Sequence, residues 1–332
     1  MDNILMPDAS LPDWAVDRVN LASPRMGTIA VRCSDDFFAP MSRMLADGPA
    51  VWQPGVYDDN GKWMDGWESR RRRDGEHDWC IVKLGVTGRV AGVDFDTAHF
   101  TGNYPPGASV WAMKSDSAPT PLGNWKLLVP TTALGPSAHH FAEAIHSEPV
   151  NWLKVSIYPD GGLARLRVYG DVVPEWGAAK GSVELSNLKH GGRIIAYNNA
   201  HYGDVSALLS EGRGKFMGDG WETRRRREPG SDWIIVALGA AGIVERIEID
   251  TAHFKGNFPD RASVQAANVD WGNEASLPTQ AMFWPELLRE SQLKPDKKHS
   301  FDVKSFLPVT HVKLNIHPDG GVSRFRVFGK RV

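Results

Sequence analysis

The chain has 332 residues, more than one hydrophobic core usually supports, and fits two domains of about 160 residues. Its 38 Lys and Arg against 40 Asp and Glu give a formal charge of -2, so no global field concentrates nucleic acid or an anionic membrane, and any basic site must be local. A hydrophobic content of 42%, a charged content of 23% and a mean hydropathy of -0.34 exclude a disordered or fibrous chain.

In chain order, the first segment, MDNILMPDASLPDWAVDR, lacks the basic-then-apolar order of a secretory signal. No apolar run approaches the roughly 20 residues of a membrane span. Cys33 and Cys80 are the two cysteines, and Ile234 stands at the repeat position of Cys80, so no disulfide framework is expected and a reducing cytoplasm fits. The first strand begins near Gly27, and a short helix is predicted around Pro40 to Leu45. The run Glu68 to Arg73 reads as a strand with Glu68, Arg70 and Arg72 on one face and Arg71 and Arg73 on the other. DWCIVKLG, from Asp78, reads as a strand buried on both faces. In VAGVDFDT, Val93 and Phe95 point to a core while Asp94 and Asp96 share the opposite face. The PDGG turn at Pro159 to Gly162 marks a tight hairpin, after which Arg165 and Arg167 alternate with Leu166 and Val168.

Those elements then recur. A shift of 154 lays DGWESRRRR and DTAHFTGNYP on DGWETRRRR and DTAHFKGNFP without a gap, with 27 identities in 46 positions from Asp65 to Val110. YPDGGLARLRVYG and HPDGGVSRFRVFG close the two copies at a shift of 159. A weaker match lays Gly27 to Met44 on Gly192 to Leu209, which sets Ser34 opposite Asn199. The Pro, Gly and Ser content of Asp171 to Gly191 suits a connector, so the expected domains are residues 1–172 and 173–332. A period this long describes a complete domain rather than a solenoid turn or propeller blade. Two all-β sandwiches follow, with further short helices predicted at Asp204 to Leu209 and Pro285 to Gln292.

Two constellations could carry chemistry. Guanidinium forks grip carboxylates and ureido oxygens bidentately, so the repeated arginine run points to anion recognition; the alternative is a solvated edge strand whose charges block aggregation. The second set is Asp94, Asp96, His99 and Asn103, repeated as Glu248, Asp250, His253 and Asn257. It offers a titratable imidazole beside carboxylates that could orient it. Alternatively, Asp96 begins a turn by bonding its own backbone and His99 is a satisfied histidine. These ligand types also leave a divalent metal open, although the spacing matches no specific metal motif. No P-loop, dinucleotide fingerprint or Ser or Cys nucleophile signature is present. Of the 13 Trp, Trp67 and Trp79 with their copies Trp221 and Trp233 read as core filling.

The paired DGWESRRRR and DTAHFTGNYP motifs, with SDDFFAP at Ser34 to Pro40 and the two PDGG hairpins, closely resemble the allantoicase family over nearly the whole chain. The resemblance implies two jelly-roll domains of galactose-binding-like type, a cytoplasmic homo-oligomer, and hydrolysis of allantoate to ureidoglycolate and urea in purine-ureide breakdown. Within that reading Arg70 and Arg72, or Arg224 and Arg226, hold the substrate carboxylate and polarise a ureido oxygen, with Glu68, Asn103, Glu222 and Asn257 as further binding groups. His99 or His253 protonates the departing nitrogen, Asp96 or Asp250 orients the ring, and Asp94 or Glu248 activates water. Competing readings are a tandem carbohydrate-binding or interaction protein without activity, and another ureide or amidine hydrolase.

Overall fold

The computed structural model describes residues 5, 11–176, 181–269 and 274–332. It divides into two compact units, Leu11–Pro174 and Met1–Ser10 with Glu175–Val332. The predicted connector from Asp171 to Gly191 falls partly on residues 177–180, outside the described set, and its later part holds a strand, Val183–Glu184, and a 3-10 turn, Leu188–His190.

Each unit is organised by one very long strand, Asp78–Asp96 in the first and Asp232–Asp250 in the second. The first half of Asp78–Asp96 pairs with Ile29–Cys33 and Pro149–Tyr158, while the second half pairs with His139–Glu143 and Arg165–Val172. One strand therefore belongs to two different sets of neighbours, which is how a jelly-roll sandwich joins its layers. Gly107–Met113 and Lys126–Ala133 extend the first set, and Val19–Asn20 extends the second. The second unit repeats this order strand for strand.

The core lies where alternation placed it. Val82, Val93, Phe95, Leu166 and Val168 are fully buried, as are Ile234, Val236, Ile247 and Ile249 in the other unit. The opposite face of the first half is covered too, because Trp79, Trp111, Trp125 and Trp152 pack around Ile81. Cys33 and Cys80 are register partners across adjacent strands, both free, with burial pushing the Cys33 thiol up to about 12. Helical turns form at Met41–Leu45 and Val205–Leu209, as the sequence suggested.

The segment after Pro285 is different. Glu286–Gln292 is a strand bonded to Arg261–Ala267, because the open sheet edge offers its backbone partners that a lone short helix would lack. No helix among the described residues is long and apolar enough to cross a membrane.

Two internal devices hold the loops at the end of each sandwich. Arg165 is buried and spends its donors on the carbonyls of Gly48, Pro49 and Asp65 and on the Asp65 carboxylate at 2.6 Å. Arg324 does the same with Asp219 at 2.8 Å. Gly162 and Gly321 let the closing hairpin pass over a phenylalanine: a Cβ would lie 1.9 Å from the Phe100 ring and 2.0 Å from the Phe254 ring.

Candidate active site

The arginine run leaves the sheet almost at once. Its regular pairing ends with Trp67–Glu68, where Glu68 meets Gly162, and Trp221–Glu222 is the matching pair. After one more backbone bond, from Ser69 to the Gly161 carbonyl and from Thr223 to that of Gly320, the backbone is held by side chains. The PDGG-turn carboxylate of Asp160 accepts the Arg72 N–H at 2.8 Å, and Asp319 accepts that of Arg226 at 2.8 Å. Buried Trp67 and Trp221 donate their indole N–H to the carbonyls of Asp35 and Asn199 at 2.8 and 2.7 Å. The predicted two-faced strand is thus corrected: with the ladder lost after Ser69, Arg70, Arg71, Arg72 and Arg73 all line one cleft of about 540 Å³. Arg224 to Arg227 line its counterpart, of about 610 Å³.

At the floor of each cleft lies a buried aspartate. Asp78 Oδ1 accepts Arg72 at 2.8 Å and Ser34 Oγ at 2.7 Å, while its Oδ2 has no hydrogen-bond partner among the described residues. Asp232 Oδ1 accepts Arg226 at 2.9 Å and Asn198 Nδ2 at 3.1 Å, and its Oδ2 is likewise without a partner. The rims differ. Asp35 takes Arg70 Nε at 2.7 Å and its Nη2 at 2.6 Å, and although burial opposes it, Arg70 holds the Asp35 carboxyl below its ordinary value. Leu5 and His201 line only the second cleft, where Leu5 exchanges two backbone bonds with Tyr197.

The second constellation does not converge on these arginines. Asp96 Oδ1 accepts the Ala98 N–H at 2.7 Å and Asp250 Oδ1 that of Ala252 at 2.9 Å, so both carboxylates cap turns instead of orienting an imidazole. The rings follow the same logic. His99 Nε2 lies 3.2 Å from the Ala50 carbonyl and His253 Nε2 2.7 Å from that of Gly214, in residues whose φ is 68° and 69°. Asn103 and Asn257 each donate to the glutamate that precedes the arginines, Glu68 at 2.6 Å and Glu222 at 2.5 Å. Burial raises the Glu68 carboxyl above its ordinary value, against that bond.

Asp94 and Glu248 have other partners again. Burial raises Asp94, which accepts His139 Nδ1 at 2.7 Å; burial of His139 works against its charge, but the Asp94 bond together with the charges of Asp94 and Asp96 outweighs it and lifts the imidazole. Glu248 accepts Arg246 at 2.9 Å and lines a separate cavity of about 810 Å³ with Asp250 and Arg326. Among the described residues no three His, Cys, Asp or Glu are grouped to hold a metal ion.

Sequence reasoning missed the groups that finish each cleft. The weak first-strand match was one residue out of register. Ser34 Oγ and Asn198 Oδ1 both accept the next strand's tryptophan N–H, and Asp35 Oδ1 and Asn199 Oδ1 both accept the first arginine's N–H, so Ser34 corresponds to Asn198 and Asp35 to Asn199. Further on, Phe38 and His201 both donate their N–H to the glutamate carbonyl, which shows that the second copy is one residue shorter there. The signal was in the chain, since Ser34-Asp35 and Asn198-Asn199 are both short polar pairs ending a first strand.

Comparison with known proteins completes the picture. The allantoicase repeat matches the chain twice, over residues 19–173 and 183–332. A probable allantoicase 1 of Burkholderia mallei is 54% identical over 329 residues, covering 98% of each chain, and a probable allantoicase of Ralstonia nicotianae is 52% identical, covering 97% of each. The crystal structure of allantoicase from Saccharomyces cerevisiae superposes with a TM-score of 0.83 at 33% identity, over 98% of this chain and 100% of that one. With a repeat-by-repeat match and full-length relatives at this identity, the chain belongs to the allantoicase family.

Proposed function

We infer that the chain hydrolyses allantoate to ureidoglycolate and urea, a step in the breakdown of purine-derived ureides, and that an arginine cleft is where it does so. Full-length relationship to probable allantoicases supports the activity. The observation that carries the location is the pairing, in one cleft, of clustered guanidiniums with a buried carboxylate oxygen that lacks a partner. Allantoate bears one carboxylate and two ureido groups on one carbon. Guanidiniums match its carboxylate and ureido oxygens, and an aspartate matches its ureido N–H donors.

In the reaction water forms a C–O bond to the central carbon, the C–N bond to one ureido group breaks, and the departing nitrogen takes a proton to become urea. The cleft contributes by orienting that carbon and by stabilising charge on the ureido oxygen as the bond weakens. A cytoplasmic homo-oligomer belongs to the same reading, and light scattering on the purified protein tests the assembly. Incubation with allantoate should release urea and ureidoglycolate in equal amounts. Absence of urea, together with a saccharide-dependent thermal shift, would establish a binding protein instead.

A further inference from the structure

We propose that the two arginine clefts are unequal: the C-terminal one, around Arg224 and His201, takes the ureide acid, and the N-terminal one is closed by its own Asp35. This deepens the allantoate reading and rests on it.

The two positions share a backbone. Asp35 and Asn199 accept the N–H of Arg70 and Arg224 at 2.9 and 3.2 Å, and each receives a tryptophan indole on its carbonyl. What changes is one charge. In the first cleft the Asp35 carboxylate engages Arg70 through two nitrogens, Arg71 reaches Asp160 at 3.4 Å, and Arg72 is shared between Asp74 and Asp78. A substrate carboxylate would have to displace a tethered one. In the second cleft Asn199 is neutral, and the guanidiniums of Arg224, Arg225 and Arg227 make no ion pair with a described carboxylate. Four arginines there face the two carboxylates of Glu228 and Asp232, against three in the first cleft. The uncompensated positive charge is what an anionic substrate would neutralise.

A second difference is independent of charge. His201, exposed and lining the C-terminal cleft, stands where the first copy has Phe38, and no histidine lines the N-terminal cleft. An imidazole can give a proton near neutral pH and recover one. His201 protonates the nitrogen of the leaving urea, and the proton released when water adds to the central carbon returns to the ring. Only the second cleft therefore has both a vacant guanidinium and a proton donor.

Calorimetric titration with ureidoacetate, a carboxylate bearing one ureido group, tests the assignment. The intact protein should bind one molecule per chain. Arg224→Gln, at an exposed position, should weaken binding roughly 30-fold or more. Asp35→Asn should raise the stoichiometry to two, and the double variant should bind one. Two sites in the unaltered chain, no binding by it, unchanged affinity in Arg224→Gln, or a single site in Asp35→Asn each overturns the proposal. Urea release from allantoate, measured in parallel, separates the failures: a chain that makes no urea sinks the allantoate reading itself. A chain that makes urea while Arg224→Gln keeps full binding and rate sinks only the choice of cleft. His201→Asn should keep ureidoacetate affinity while kcat falls and the pH profile changes shape.

Discussion

At the first cleft Ser34 and Asp35 face Arg70 and Arg72, whereas at the second Asn198 and Asn199 face Arg224 and Arg226. Every bond that fixes the backbone is present in both: the indole on the carbonyl, the turn aspartate on the arginine N–H, the polar cap on the next strand. The side chains that differ keep these backbone bonds in both copies, and the difference is confined to the charge that Asp35 carries and Asn199 lacks. Duplication gives two copies of a fold, and a change of charge at a position whose backbone role is shared decides which copy keeps a vacant site.

The comparison can be broken most forcefully through the buried arginines. Asp219→Ala strands Arg324 without its carboxylate and should cost about 3–5 kcal/mol by denaturant unfolding, with a similar loss for Asp65→Ala around Arg165. Equal stability losses with unequal losses of activity would show that the copies are alike as scaffolds and unlike as sites. Next comes chemistry: His201→Asn should lower kcat on allantoate roughly 100-fold, as removal of a general acid does, with little change in KM. Gly162→Ala and Gly321→Ala each drive a methyl into a buried ring and should cost about 1–3 kcal/mol apiece, with equal effects in the two units.

The smallest effect sharpens the comparison in pH. His311 occupies the position of Trp152, and burial, aided by the charge of Arg193, pushes it down to about 4. The unfolded chain then binds a proton between its ordinary value and 4 that the folded chain refuses. Stability is full above the ordinary histidine range and declines as pH falls through it toward 4. The melting temperature of the protein should therefore drop over that window, and His311→Phe should flatten the drop.

Much of this was legible in the chain. The repeat, the doubly buried strand after Asp78 and the core role of Trp67 followed from alternation and self-similarity, because those features obey local periodicity. Glu286–Gln292 did not, since its leucines suit either structure and the neighbouring strand Arg261–Ala267, distant in sequence, decides. Asp96 and His99 looked catalytic because carboxylates and imidazoles serve both turns and chemistry. Only coordinates reveal that one caps Ala98 and the other meets a carbonyl. The Asp35 counterion was hidden for a similar reason: it lies 35 positions from the arginine it neutralises.

The central claim is the inequality of the clefts, and urea release by Arg224→Gln and Arg70→Gln, assayed side by side on allantoate, tests it most directly. The account predicts that Arg224→Gln loses roughly 100-fold in kcat/KM while Arg70→Gln stays within about threefold of the unaltered protein. A collapse in Arg70→Gln with Arg224→Gln spared would contradict it.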